Sequence, residues 1–162
     1  MAQMKLQGTA FRLGVLTAAV FAIYPPAYAA GLELDNGEFN RVSNDSFDYV
    51  DVRYGTPRSK ATTLDASKLT INDDRVDANH GAVFAKGANI VITDSAITTS
   101  GKRSGLQAFS AQEGEAPTSI SANRVSIETK GERAHGAFVY VEHSTTPRSD
   151  TELTFSNGTI ST

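Results

Sequence analysis

Apolar residues are distributed along this chain in two different ways. Near the N-terminus, Leu13-Gly14-Val15-Leu16-Thr17-Ala18-Ala19-Val20-Phe21-Ala22-Ile23 is an unbroken run of 11 uncharged residues. A permanent bilayer-spanning helix needs roughly 20. Beyond Ala30 the apolar residues come as short runs of Val, Ile, Phe and Ala punctuated by Thr, Ser, Asn, Asp and Gly, a pattern that predicts short strands between tight turns.

Within that second region a unit recurs: an apolar residue, four residues, a second apolar residue, one residue, then a third position. The copies are Leu64-x4-Leu69-x-Ile71, Ile92-x4-Ile97-x-Thr99, Ile120-x4-Val125-x-Ile127 and Phe155-x4-Ile160-x-Thr162, with starts 28, 28 and 35 residues apart. The longest interval holds Ser144-Thr145-Thr146-Pro147-Arg148-Ser149-Asp150, which reads as an inserted loop. After each of the first three copies comes a glycine with a nearby phenylalanine: Gly81 and Phe84, Gly105 and Phe109, Gly136 and Phe138.

A unit of about 28 residues made of short strands and turns cannot bury its own apolar side, but it can stack on a copy of itself. The expected fold is all-β, a parallel β-helix (β-solenoid) of about three to four rungs over residues 61–162. In it Leu64, Ile92, Ile120 and Phe155 form one interior column, Leu69, Ile97, Val125 and Ile160 a second, and Phe84, Phe109 and Phe138 a third. The glycines are expected at corners that need a positive φ. Matched residues at a fixed period favour stacking over an antiparallel sandwich. Residues 30–60 lack the repeat and are expected to form an N-terminal cap.

The first apolar run has a targeting character. Lys5 and Arg12 precede or open it with no acid in the first thirty residues, Pro25 and Pro26 end it, and Ala27-Tyr28-Ala29 supplies small residues at alternate positions. Residues 1–29 are therefore expected to be a signal peptide cleaved between Ala29 and Ala30. A single arginine and no cysteine stand near the run, which argues against twin-arginine or lipoprotein signals. Without it the chain keeps 13 basic against 18 acidic residues, a net charge of about −5, so nucleic acid and anionic membrane are not expected partners. The sequence has no cysteine, which leaves packing and backbone ladders to stabilise the exported part.

The stretch Ile90-Val91-Ile92-Thr93-Asp94-Ser95-Ala96-Ile97-Thr98-Thr99-Ser100-Gly101-Lys102-Arg103-Ser104-Gly105-Leu106-Gln107-Ala108-Phe109 resembles the repeat of pertactin-like autotransporter passenger domains, and Glu128-Thr129-Lys130-Gly131-Glu132-Arg133-Ala134-His135-Gly136-Ala137-Phe138 repeats its turn and strand. The resemblance covers about residues 60–162. It implies a right-handed β-helix displayed on, or shed from, a Gram-negative outer membrane. In that family the passenger is followed by a C-terminal β-barrel translocator. The present sequence stops inside a repeat, so a truncated product with an open strand edge is expected, and a periplasmic location if no barrel is supplied.

No constellation of reactive residues stands out. His80 and His135 precede glycines in different repeats, and stacked turn histidines are expected there; no recurring carboxylate completes a metal set with them or His143. Asp73, Asp74 and Asp77 surround Arg75 in a turn-rich stretch, whereas carbohydrate-cleaving chemistry needs two carboxylates at fixed separation. No Gly-x-Ser-x-Gly elbow, phosphate loop, Arg-Gly-Asp triplet or calcium nonapeptide is present. The expectation is a non-enzymatic, adhesin-like passenger, virulence-associated and without cofactor, catalytic residue or metal site, whose partner is a host-cell surface protein or glycan. The rivals are a secreted carbohydrate-active β-helix enzyme, marked by acids and an arginine aligned across neighbouring rungs, and a gene fragment with no independent function.

Overall fold

A computed structural model describes residues 30–75, 80–142 and 148–162, together with the backbone of Phe11–Arg12. Apart from that dipeptide and Ala30, the expected leader and its cleavage point at Ala29 lie outside the described residues, as do Asp77 and His143.

The described residues contain strands and no helix, arranged in three parallel sheets that the chain visits in rotation. Sheet A holds β1 (Phe11–Arg12), β2 (Leu32–Leu34), β5 (Val50–Arg53), β8 (Val83–Lys86), β11 (Leu106–Phe109) and β14 (Ala137–Tyr140). Sheet B holds β3 (Phe39–Ser43), β6 (Thr62–Ser67), β9 (Ala88–Thr93), β12 (Thr118–Asn123) and β15 (Thr151–Ser156). Sheet C holds β4 (Ser46–Phe47), β7 (Thr70–Asp73), β10 (Ala96–Thr99), β13 (Ser126–Thr129) and β16 (Thr159–Ser161). This is a parallel β-solenoid. Residues 61–162 supply four strands to each of sheets B and C, and the segment expected as a cap supplies the fifth, β3 and β4, in register with the rest.

Alternation within each strand builds the core, since successive side chains point to opposite faces. In β9 and β12, buried residues alternate with exposed or half-buried ones. The interior columns are Leu64, Ile90, Ile120 and Leu153; Ala66, Ile92, Ala122 and Phe155; and Ile71, Ile97, Ile127 and Ile160. Burying one such Ile or Leu fully stabilises by roughly 1.5–3 kcal/mol, and nearly every member before the last rung is sealed from solvent. Ile160, on the last strand of sheet C, is 45% exposed.

The expected columns need correction. Ile92 aligns with Ala66 and Ala122 rather than with Leu64 and Ile120, and Phe155 aligns with Ala122. The second and fourth copies of the expected repeat thus start two residues after the true rungs. True rungs start at Asn40, Leu64, Ile90, Ile120 and Leu153, and they lengthen through 24, 26, 30 and 33 residues instead of keeping one period.

The added length avoids one corner. From sheet B to sheet C the chain always advances seven residues: Asn40 to Phe47, Leu64 to Ile71, Ile90 to Ile97, Ile120 to Ile127 and Leu153 to Ile160. Each passage turns on one left-handed residue: Asn44, Lys68, Asp94, Arg124 and Asn157, with φ between 52 and 56°. Glycine does not serve there. The repeat glycines sit at the corner from sheet C to sheet A, and Gly81, Gly105 and Gly136 do not have positive φ. Their reason is close approach: a Cβ on Gly105 would strike the Ile127 Cγ2 methyl and come 2.7 Å from the Gly136 carbonyl oxygen.

Candidate functional site

The outer face of sheet A carries aromatic and charged side chains along its length. Val50, Val52, Val83, Ala85, Leu106 and Ala108 point into the core, so the residues between them point out. They form two columns along the solenoid axis: Glu33, Asp51, Phe84, Gln107 and Phe138, and beside it Arg53, Lys86, Phe109 and Tyr140. This overturns the expected interior column of Phe84, Phe109 and Phe138. Phe84 is sandwiched in sequence by inward Val83 and Ala85, and Phe109 shares its register position with Lys86 and Tyr140, not with Phe84.

The rings pack on one another over this face. Phe109 stacks on Tyr140 with centroids 4.8 Å apart, His135 stacks on Phe138 at 5.2 Å, and Phe84 lies 6.0 Å from Phe109. Cations lie over the rings, Arg53 5.3 Å from the centre of Phe84 and Lys86 5.1 Å from that of Phe109. Phe84 is buried, whereas Tyr140 remains 39% exposed. Gln107 has a structural task, its Oε1 accepting from the Gly81 N–H at 2.6 Å.

Toward the N-terminal rungs the face becomes charged. Glu33, Leu34, Asp35, Asp51 and Arg53 line an open cleft of about 240 Å³. Arg53 donates from Nε and Nη2 to the two Asp51 oxygens, both at 2.8 Å. The Tyr49 hydroxyl donates to Glu33 Oε1 at 2.6 Å. Burial first, and this bond to a carboxylate second, push the Tyr49 hydroxyl up to about 12.

A charged corner borders the face where sheet C passes into sheet A. Arg75 donates from Nε and Nη2 to the two Asp73 oxygens, each at 2.9 Å, and its guanidinium stands 3.5 Å from the centre of the Tyr49 ring. Arg103, one rung on, has its Nε 3.6 Å from Asp73 Oδ1 and donates to the carbonyls of Arg75 at 2.7 Å and His80 at 2.9 Å. Asp73 and Arg103 are both sealed from water. Asp48, half-buried one rung earlier, has its pKa raised by burial and then by the Asp74 and Asp73 carboxylates. The acids that the sequence places in a turn-rich stretch divide here: Asp74 is exposed, while Asp73, the last residue of β7, anchors a buried ion network.

The two described histidines do not stack. Val83 and Ala137 share a register position, yet His80 precedes Val83 by three residues while His135 precedes Ala137 by two, and the rung of Leu106 lies between. Each instead packs on an aromatic ring, His80 on Phe84 at 4.1 Å. Burial lowers the pKa of His80. Among the described residues no group of three or more His, Asp or Glu side chains is arranged to hold a metal ion.

The outer face escaped sequence reasoning because Phe near a repeat glycine reads as core. The signal that reveals it is alternation: in Val83-Phe84-Ala85-Lys86 and Leu106-Gln107-Ala108-Phe109, small or aliphatic residues occupy one parity and rings and a cation the other. In comparisons with known proteins, no family model matches the chain, and neither the curated proteins nor the solved structures give a match.

Proposed function

We propose that this protein is an exported, non-catalytic binding solenoid of the pertactin-like passenger type, which engages a host-cell surface protein or glycan through the outer face of sheet A. The observation that carries this reading is the pair of outward columns, in one of which Phe109 and Tyr140 continue the line of Arg53 and Lys86 while Phe138 stands in the other. Aromatic side chains and arginine, grouped here on a rigid sheet, are residue types enriched at binding surfaces. Display at the surface requires a translocator barrel, encoded with this chain or supplied separately, and this part of the reading rests on the family resemblance alone. The test is saturable binding of the labelled full chain to host cells, with Phe109→Ser and Tyr140→Ser as variants. Loss in the variants supports the reading. Undiminished binding refutes it.

One observation favours a second reading, a carbohydrate-active enzyme: Asp48, then Asp73, Asp74 and Arg75, then Arg103 line up over three successive rungs. Against it, both Asp73 oxygens are held by Arg75, which leaves Asp48 and Asp74 as the acids open to chemistry. Shortening of an acidic polysaccharide that disappears in Asp48→Asn would establish this reading in place of the first.

A further inference from the structure

We infer that the ligand of the sheet A face is an anionic glycan laid along the solenoid axis, its sugar rings on Phe109, Phe138 and Tyr140 and its acid group on Lys86. The inference rests on the binding-face reading above and specifies its ligand.

Three features select this chemistry. First, Phe109 and Tyr140 occupy the same register position on neighbouring strands, and their rings stack at 4.8 Å with an interplanar angle of 29°. Together with Phe138, 6.1 Å from Tyr140, they make a platform that advances with the strand spacing of about 4.8 Å. One pyranose unit of an extended glycan advances by a similar step, and its C–H face is apolar enough to lie on Tyr140 and Phe138 and against the edge of Phe109, which Tyr140 stacks on and Lys86 covers. Second, Lys86 stands at the next rung of the same column, and among the described residues it has no carboxylate partner. Arg53, the cation beyond it, is already held by Asp51. Lys86 is therefore the cation left to meet an acid on the ligand. Third, Lys86 and Phe109 sit on the inner strands β8 and β11, whose backbones bond to a neighbour on both sides, so around the cation the face presents side chains alone. An acidic peptide gains much of its affinity from main-chain hydrogen bonds to a strand edge, which these inner strands do not offer. A glycan bonds through its hydroxyls and needs no such edge.

The test is calorimetric titration of the full chain with oligogalacturonate, with dextran sulfate, with a neutral cello-oligosaccharide, and with a polyglutamate peptide. Binding of either acidic saccharide at least about tenfold tighter than the neutral one is expected, about 1.4 kcal/mol at least. Which of the two prevails distinguishes a carboxylate from a sulfate ligand. Lys86→Gln should abolish that preference, and Tyr140→Ala should weaken both acidic and neutral saccharides by about tenfold. Phe39→Ala is the control: Phe39 is 62% exposed with Arg41 over its ring, but it lies on sheet B, and its loss should leave the titration unchanged. Both variant positions are partly exposed, and circular dichroism of each verifies the fold. Tight polyglutamate binding with none of the saccharides would overturn the glycan while leaving the binding face intact. Saccharide binding that ignores both Lys86→Gln and Tyr140→Ala would overturn the site, and with it the face. Failure of every probe, with cell binding retained, would overturn the anionic glycan alone.

Discussion

Gly105→Ala is the sharpest test of how closely the rungs pack at the corner between sheets C and A. The added methyl group meets two obstacles. On one side is the Ile127 Cγ2 methyl, whose residue is itself sealed in the core. On the other is the Gly136 carbonyl oxygen at 2.7 Å, which cannot withdraw freely because it accepts the Leu106 N–H at 2.9 Å. A forced methyl in a packed interior costs roughly 1–3 kcal/mol, and with backbone on one side the upper end applies. About 3 kcal/mol is a large share of the 5–15 kcal/mol that stabilises a typical domain. In urea unfolding followed by far-UV circular dichroism, the midpoint should fall, and the melting temperature should drop on the order of 6–12 °C for a chain of this size. A cycle with Ile127→Ala separates the two obstacles. That change alone costs about 2–5 kcal/mol, but in the double variant the methyl fills part of the vacated space, so the combined loss should be smaller than the sum. A Gly105→Ala protein within about 0.5 kcal/mol of the parent would refute the close-approach account of this glycine.

The remaining predictions concern backbone, ion network and pH. Lys68→Gly should stabilise the fold by about 0.5–1 kcal/mol, because the left-handed penalty of roughly 1–2 kcal/mol outweighs the added chain entropy of glycine; a raised urea midpoint at unchanged slope is the readout. Asp73→Asn should cost about 3–5 kcal/mol by stripping Arg75 and the enclosed Arg103 of their carboxylate, and it should do so without altering saccharide titrations if the corner is structural. His80 has a folded pKa below its ordinary value because burial disfavours the imidazolium, so the folded state binds fewer protons there. Stability should therefore be complete above pH ~6.5 and decline as pH falls below it, and His80→Phe should flatten that decline in melting curves taken across the range.

Much of this architecture was legible in the sequence, and the misreadings have local causes. Leu64-x4-Leu69-x-Ile71 and Ile120-x4-Val125-x-Ile127 coincide with true rungs because the middle position is filled by an aliphatic side chain. In the rung of Ile90 that position is Ser95, a buried serine whose hydroxyl accepts from the Leu69 N–H and donates to the Thr93 carbonyl. A search for apolar residues passes over it and locks onto Ile92, and Gly158 has the same effect in the last rung. A slip of two residues keeps every side chain on its proper face, which is why the class of fold survived the error. The left-handed corner was half visible: Asn44, Asp94 and Asn157 are residue types that tolerate it, while Lys68 and Arg124 give no local sign. The outer face and the Asp73 corner depend on which rungs become neighbours, and that information lies in the register.

The fixed seven-residue passage from sheet B to sheet C has a meaning for how such a chain can be altered. Every insertion that lengthens the rungs enters on one or the other side of sheet A, as in the fourteen residues from Val50 to Leu64 and the twelve from Ile71 to Val83. The corner of Asn44, Lys68, Asp94, Arg124 and Asn157 thus acts as a spine, and the two borders of the aromatic face are its free margins. Foreign segments grafted at the border with sheet B, away from the tight glycine corner and its ion network, would be carried beside the face without disturbing the stacking, so recognition can diversify there while the scaffold stays constant.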